Sequence, residues 1–150
     1  MKKVYIIGSL RNPRVLDIAN ALRKSGIEVF EDWASPGPEC DDHWQKYEQA
    51  RGRSFIEALN GHHAQNQYQF DKKHLDNAEA AVLVLPAGKS GHMELGYIIG
   101  QGKPGYILLD GEPERYDLMY LFATGIFLTV DELLEAIRYA RIIKDKYDEE

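Results

Sequence analysis

The sequence has little cysteine and no long hydrophobic run, and both absences restrict what the protein can be. Its single cysteine, Cys40, cannot form an internal disulfide and has no CxxC partner, which argues against a disulfide scaffold and a zinc knuckle. No apolar run approaches the roughly 20 residues that a membrane-spanning helix needs. The opening residues, MKKVYIIGS, lack the apolar core and cleavage site of a signal peptide. We therefore expect a cytoplasmic protein with no membrane partner.

Clusters of basic residues and the common phosphate-binding motifs are also missing. The 150 residues include 18 Lys or Arg and 24 Asp or Glu, which gives a formal net charge of −6. This balance disfavours nucleic-acid and polyphosphate ligands and suits a small, nearly neutral ligand. The first loop, GSLRNP, matches neither GxGxxG nor GxxxxGK(S/T). The adjacent His62 and His63 have no third ligand at metal spacing, so we expect neither a cofactor nor a metal ion.

The sequence does contain an alternation of short apolar strands and amphipathic helices. With 44% hydrophobic and 28% charged residues, the chain is typical of one globular domain, which we predict to span residues 1–150. Apolar runs predict five strands. They lie near residues 3–7, 27–30, 80–85, 105–110 and 126–129. The pattern predicts an α/β fold, with a doubly wound, mostly parallel five-stranded sheet and helices on both faces, as in flavodoxin-like and Rossmann-like proteins.

The region between the second and third strands is expected to be mainly helical. Its spacing predicts a helix over residues 43–61 that is interrupted at Gly52, where glycine lowers helix stability. A solvated polar stretch is expected over residues 62–69, and a second helix over 70–78. The last 20 residues, from 131 to 150, have the spacing of an amphipathic helix.

The stretch AAVLVLPAGKSGHMELGYIIGQGKP, residues 80–104, gives the strongest indication of a functional site. It predicts a buried strand, a turn and a helix that begins near Gly91, and ligands of such sheets bind at the carboxyl ends of the strands. Glu94 would lie in the first helical turn, where the helix dipole favours an ionised carboxylate that could act as a nucleophile. A helix-capping glutamate is the alternative. Gly91 would let the backbone approach a ligand, and Gly96 and Gly100 would leave one helix face flat against the sheet.

The segment GHMELGYIIGQGKP resembles the nucleoside 2-deoxyribosyltransferase family, which includes related deoxynucleotide N-glycosidases. The resemblance runs from VYIIGS near the start to YDLM late in the chain, and MELGY followed by QGK is its most specific part. It implies that Glu94 attacks the anomeric carbon of the sugar and that Asp71 contacts the departing base and manages its proton. Tyr5 takes the place of a tyrosine that hydrogen-bonds near the nucleophile in the glycosidase-like members. The alternative for Tyr5 is a buried strand tyrosine with a satisfied hydroxyl.

Residues of three loops are candidates for binding the substrate. The resemblance places Gly8 and Ser9 beside the ribose. Trp33 could stack on a nucleobase or plug the hydrophobic space beneath its loop, and the neighbouring Asp32 could hydrogen-bond base edges. Ser90 and the Gly91 N–H could bind a phosphate.

A late segment of the chain bears on both the substrate and the assembly. Asp117 to Met119 resemble an element of the family that crosses a subunit interface and hydrogen-bonds the 5′-hydroxyl in the neighbouring site. A carboxylate at Asp117 accepts from a hydroxyl but repels a phosphate dianion, which favours nucleosides. An exposed acidic loop residue is the alternative. The resemblance thus implies a homodimer or a higher homo-oligomer.

Taken together, the residues and the resemblance predict a nucleoside 2-deoxyribosyltransferase-like enzyme. It would cleave the N-glycosidic bond of (deoxy)nucleosides through a covalent glycosyl-Glu94 intermediate and transfer the sugar to another base or to water. Its partners would be a small-molecule nucleoside or nucleotide and a free nucleobase. Two alternatives stay open, namely a 5′-(deoxy)nucleotide N-glycosidase and a noncatalytic nucleotide-binding module on the same fold.

Overall fold

Five short parallel strands form a single sheet in the computed structural model, which describes residues 3–148. The strands are β1 (Val4–Ile7), β2 (Val29–Phe30), β3 (Ala80–Val84), β4 (Gly105–Leu108) and β5 (Gly125–Phe127). Their order in the sheet is β2-β1-β3-β4-β5, and every neighbouring pair is parallel. The predicted doubly wound α/β fold is confirmed.

Six α-helices connect and flank the strands. They are α1 (Arg14–Lys24), α2 (Cys40–Ala50), α3 (Phe55–Leu59), α4 (His62–Asn77), α5 (Lys89–Gly100) and α6 (Val130–Asp148). Two short 3₁₀ turns, at Asp32–Ala34 and Leu118–Phe122, lie in loops after β2 and β4. No helix within residues 3–148 is long and apolar enough to cross a membrane.

The strands are buried because helices cover both faces of the sheet. Alternate residues of a strand point to opposite faces, so Val4 and Ile6 pack with α1 and α6, whereas Tyr5 and Ile7 pack with α4 and α5. All residues of β1, β3 and β4 are buried. This two-sided burial explains why those strands read as continuous apolar runs rather than as alternating ones.

Between β2 and β3, two helices begin earlier than the sequence predicts. Helix α2 begins at Cys40 rather than at residue 43, and α4 begins at His62, eight residues before the predicted start. The first two turns of α4 are rich in Gln, Asn and His and bury little apolar surface, so they lack the periodicity on which the prediction rested. The predicted interruption at Gly52 is confirmed, since Gly52 has φ +76° between α2 and α3.

Candidate active site

A cavity of about 420 Å³ lies at the carboxyl edge of the sheet, beside the ends of β1 and β3. The chain leaves these neighbouring strands toward opposite faces, which makes this edge the point where open α/β sheets bind their ligands. Four segments line the cavity: the loop after β1, the segment from β2 into α2, one face of α4, and the beginning of α5. The lining residues are Gly8, Ser9, Leu10, Arg11, Trp33, Pro38, Cys40, Asp41, Asp42, His63, Gln67, Asp71, Gly88, Lys89, Ser90, Gly91 and Glu94.

Two of the three predicted catalytic side chains line this cavity, and the third, Tyr5, contacts one of them. Glu94 and Asp71 both line it, from α5 and α4, and the hydroxyl of the buried Tyr5 donates a hydrogen bond to the Glu94 carboxylate. Tyr5 is therefore both a buried strand tyrosine and a partner of Glu94. Burial and the negative charges of Glu94 and Asp71 raise the pKa of the Tyr5 hydroxyl, which keeps it protonated and able to donate.

Burial also raises the pKa values of the two carboxyl groups, Glu94 and Asp71. It raises the pKa of Glu94 from 4.5 to about 7, with the nearby Asp71 as a second cause and the Tyr5 hydrogen bond as an opposing one. Burial raises the pKa of Asp71 as well, although the Gln67 amide opposes this by donating to Asp71 Oδ1 at 3.1 Å. Two neighbouring carboxyl groups of this kind titrate as a pair. Over a range of pH, the pair therefore holds one proton and one negative charge.

The predicted placement of Glu94 in the first turn of its helix is wrong. Helix α5 begins at Lys89, so Glu94 is its sixth residue, and the first turn contains no acidic side chain. The helix dipole acts mainly on the terminal turn, and burial works in the opposite direction by favouring the neutral acid. The same register removes the capping interpretation, because α5 has no side-chain cap hydrogen bond.

The glycines of α5 have two different environments. A Cβ on Gly91 would lie 3.0 Å from Leu83 Cδ1 and 3.3 Å from Ile7 Cγ2, so glycine is what lets the start of α5 approach the ends of β1 and β3. Gly96 and Gly100 face open space, and the prediction that they lie flat against the sheet is wrong. They line a separate groove of about 600 Å³ on the outer side of α5.

One end of the cavity carries cationic and hydroxyl groups. Ser9 and Arg11 come from the loop after β1, and Lys89 and Ser90 come from the first turn of α5. Among residues 3–148, no hydrogen-bond acceptor is assigned to the backbone N–H groups of Lys89, Ser90 and Gly91. Arg11 Nη2 forms an ion pair with Asp42 Oδ2 at 2.5 Å, so this carboxylate partly neutralises the positive charge at this end of the cavity. Such an arrangement of N–H, hydroxyl and cationic groups is suited to a bound anion.

Arg11, Lys89 and Gln67 lie at the site although no binding role was predicted for them. Arg11 follows Gly8 and Ser9 in the same loop, which was the available signal. Gln67 lies one helical turn before Asp71, but it falls in the segment that had been predicted as a polar turn. Because no helix was predicted there, the four-residue spacing between Gln67 and Asp71 did not indicate that their side chains are neighbours.

The two candidate residues after β2 have different positions. Trp33 lines the cavity, donates from Nε1 to the Ile6 carbonyl at 2.7 Å and packs against the core on both faces of the sheet. This bond and packing support the plug interpretation, with the indole forming part of the cavity wall. Asp32 is exposed in the 3₁₀ turn and does not line the cavity.

Asp117 and Met119 are not part of the cavity within one chain. Both are exposed and line the groove on the outer side of α5, and Asp117 Oδ1 accepts a hydrogen bond from the Met119 N–H at 2.9 Å. Asp117 thus caps the 3₁₀ turn at Leu118–Phe122. Within residues 3–148, no group of three or more His, Cys, Asp or Glu side chains is arranged to hold a metal ion.

Neither a scan against protein-family models nor a search of curated proteins finds a match to this chain. The chemistry of the cavity and the resemblance of residues 91–104 are therefore what indicates a function.

Proposed function

We propose that the protein cleaves the N-glycosidic bond of (deoxy)nucleosides or their 5′-monophosphates through a covalent glycosyl-Glu94 intermediate. The observation that supports this most directly is the position of Glu94, which is mostly buried beside Asp71 and Tyr5 in the wall of a cavity of about 420 Å³. A cavity of this volume is within the range of small-molecule sites. The resemblance of GHMELGYIIGQGKP to the nucleoside 2-deoxyribosyltransferase family assigns the same role to Glu94.

The two carboxyl groups divide the chemistry between them. In the first step, an oxygen of the Glu94 carboxylate forms a bond to the anomeric carbon, the carbon–nitrogen bond breaks, and its electron pair leaves with the base. Asp71 gives its proton to that base. In the second step, water or another base attacks the anomeric carbon, Asp71 takes a proton from it, and the Glu94 carboxylate is released. Transfer to a base exceeds hydrolysis where the cavity excludes water.

A pair that holds one proton supplies what this reaction needs, namely one carboxylate and one carboxylic acid. In the free protein, the stronger burial of Glu94 favours the proton on Glu94. The transition state favours the opposite arrangement, with the proton on Asp71, because positive charge develops on the sugar ring there and stabilises the adjacent Glu94 carboxylate. The Tyr5 hydroxyl also favours the ionised form of Glu94.

Hydrolysis of 5′-monophosphates is the second candidate, and the cationic end of the cavity favours it. Arg11, Lys89 and the N–H groups at the start of α5 offer binding partners for a phosphate. The preference for nucleosides that Asp117 suggests does not operate within one chain, because Asp117 lies in the outer groove. It requires the Asp117 of a second copy.

We further propose that the protein is a cytoplasmic homodimer or higher homo-oligomer. The 3₁₀ turn after β4 exposes four large apolar side chains at 61 to 78% of their surface. These are Leu118, Met119, Leu121 and Phe122. A contiguous apolar patch on a protein surface commonly marks an interface. The unpaired Cys40 is in keeping with a reducing compartment.

The decisive experiment measures cleavage and base exchange directly. The protein is incubated with each deoxynucleoside plus a second free base, and separately with each deoxynucleoside 5′-monophosphate, and the products are separated by chromatography. Exchange supports the transferase, and base release from monophosphates supports the hydrolase. Mass spectrometry of the quenched protein should find one added glycosyl group, which Glu94→Gln should lose and the matched control Glu135→Gln, on the exposed side of α6, should retain. Binding without turnover would refute the enzymatic proposal in favour of a binding module.

A further inference from the structure

His92 joins the beginning of α5 to the 3₁₀ turn at Leu118–Phe122. Its Nδ1 lies 2.7 Å from the carbonyl oxygen of Gly88, and its Nε2 lies 2.8 Å from the hydroxyl of Tyr120. The His92 and Tyr120 rings are stacked, with centroids 5.7 Å apart and planes 22° from parallel. Both ring nitrogens are therefore bonded, and both to groups outside α5 itself.

The chemistry of these partners fixes the direction of the hydrogen bonds. A carbonyl oxygen can only accept, so Nδ1 of His92 carries a proton and donates to Gly88. In the neutral imidazole, Nε2 then accepts from the Tyr120 hydroxyl. The result is a directed chain from Tyr120 through His92 to the Gly88 carbonyl.

The Gly88 carbonyl controls a group that lies in the cavity wall. In one planar trans peptide, the carbonyl of Gly88 and the N–H of Lys89 point in opposite directions. The hydrogen bond from the His92 imidazole keeps the Gly88 carbonyl parallel to the axis of α5. The Lys89 N–H therefore points away from the helix. It does so at the end of α5 where Lys89 and Ser90 line the cavity. The backbone bond from the His92 N–H to the same carbonyl is long, at 3.4 Å, and no side chain caps the helix. The imidazole bond is thus the shorter of the two restraints on this peptide.

We propose that His92 and Tyr120 are positioning residues that hold the Gly88–Lys89 peptide in the orientation that binds the 5′-phosphate of a nucleoside monophosphate. Neither side chain lines the cavity, so they act through the peptide rather than on the substrate. This inference depends on the proposed function for its ligand, and it adds the residues that set the preference for a phosphorylated substrate. It also connects the cavity to the turn that carries Asp117 and Met119.

Three variants separate the two hydrogen bonds. His92→Ala removes both. His92→Asn keeps a donor near the position of Nδ1 but cannot reach Tyr120, and Tyr120→Phe keeps the stacked ring but removes the hydroxyl. His62→Asn, at an exposed histidine that does not line the cavity, serves as the matched control.

We expect His92→Ala to raise KM for deoxynucleoside monophosphates about tenfold, which corresponds to the loss of one hydrogen bond to a charged group. Its kcat for monophosphates and its KM for nucleosides should change by less than about twofold. His92→Asn should recover most of the lost affinity, Tyr120→Phe should give an intermediate KM, and His62→Asn should match the unmodified protein. An equal rise in KM for nucleosides and monophosphates, or an Asn variant no better than Ala, would overturn the proposal.

Calorimetric titration with a deoxynucleoside monophosphate tests the inference even if the protein has no turnover. Weaker binding in the order unmodified protein, His92→Asn, His92→Ala supports the positioning role independently of catalysis. Equal affinities in all variants, or binding too weak to measure in the unmodified protein, would contradict it. Tyr120→Phe supplies the comparison if His92→Ala does not fold, because it leaves the ring contact in place.

Discussion

Replacing Glu94 by glutamine should stabilise the protein at alkaline pH and leave its stability at acid pH unchanged. The reason is the burial that raises the pKa of this carboxyl group from 4.5 to about 7. Below pH 4.5, the group is neutral in both the folded and the unfolded chain, and glutamine resembles that neutral form. Above about pH 7, the folded chain must hold a buried negative charge beside Asp71, and the amide removes that charge.

The sign and size of the effect follow from linkage between proton binding and folding. A carboxyl group with a higher pKa in the folded chain favours folding most below its unfolded pKa, and this contribution is lost as the pH rises through the folded pKa. A rise from 4.5 to about 7 corresponds to about 3 kcal/mol. The Tyr5 hydroxyl can still donate to the amide oxygen, so we expect a gain of about 2 to 3 kcal/mol at pH 8.

Urea unfolding of both proteins at pH 4 and pH 8 measures this difference directly. The free energy of unfolding of Glu94→Gln should exceed that of the unmodified protein at pH 8 and equal it at pH 4. Glu135→Gln, at an exposed position of α6, controls for the loss of one surface charge. A difference between the two proteins that does not change with pH would show that Glu94 is not held in an environment that disfavours its charge, and the reasoning would fail.

Three further outcomes are expected. Asp71→Asn should lower the pKa of the Glu94 carboxyl group in an NMR titration, because the charge of Asp71 contributes to raising that pKa; an unchanged pKa would contradict the coupling. Glu48→Ala should lower the free energy of unfolding by about 1 to 3 kcal/mol in urea titrations, since it leaves Arg51 and Arg53 without their buried partner. Asp117→Ser should increase turnover of monophosphates relative to nucleosides in competition assays, and an unchanged ratio would rule out contact between Asp117 and the 5′ group.

The sheet could be predicted from the sequence because its strands are buried on both faces. Runs such as AAVLV in β3 are continuous and end at glycine or proline, which leaves few alternatives. The start of α4 could not be predicted, because its Gln-rich turns face solvent and the cavity rather than the core. Helix α5 begins two residues early for a related reason, since Lys89 and Ser90 are polar and precede the first buried position, Gly91.

Some residues of the site could be predicted from the sequence, and others could not. Glu94, Asp71 and Ser9 follow from the rule that ligands bind where parallel strands end, together with the resemblance. The charge state of Glu94 was not predictable, because a two-residue shift in the helix start moves it from the terminal turn, where the dipole acts, to a buried second turn. Asp32 was predicted to bind the base because it lies next to Trp33 in the sequence. In the structure, one 3₁₀ turn directs these two side chains differently.

The chain itself offers a comparison that distinguishes Glu94 from its structural carboxylates. Glu48 is only 4% exposed and is paired with two arginines at 3.4 and 3.5 Å, and Glu79 is bound by Arg141. Among residues 3–148, no ion pair includes Glu94 or Asp71.

A mostly buried carboxylate without a cation, placed beside a second carboxyl group, costs stability that an arginine would offset. The fold gains no packing or capping interaction from that charge, since glutamine would serve either purpose. What the arrangement retains is a negative charge held ready for a positively charged partner that the chain does not provide. An oxocarbenium-like sugar in the adjacent cavity is a partner of that kind.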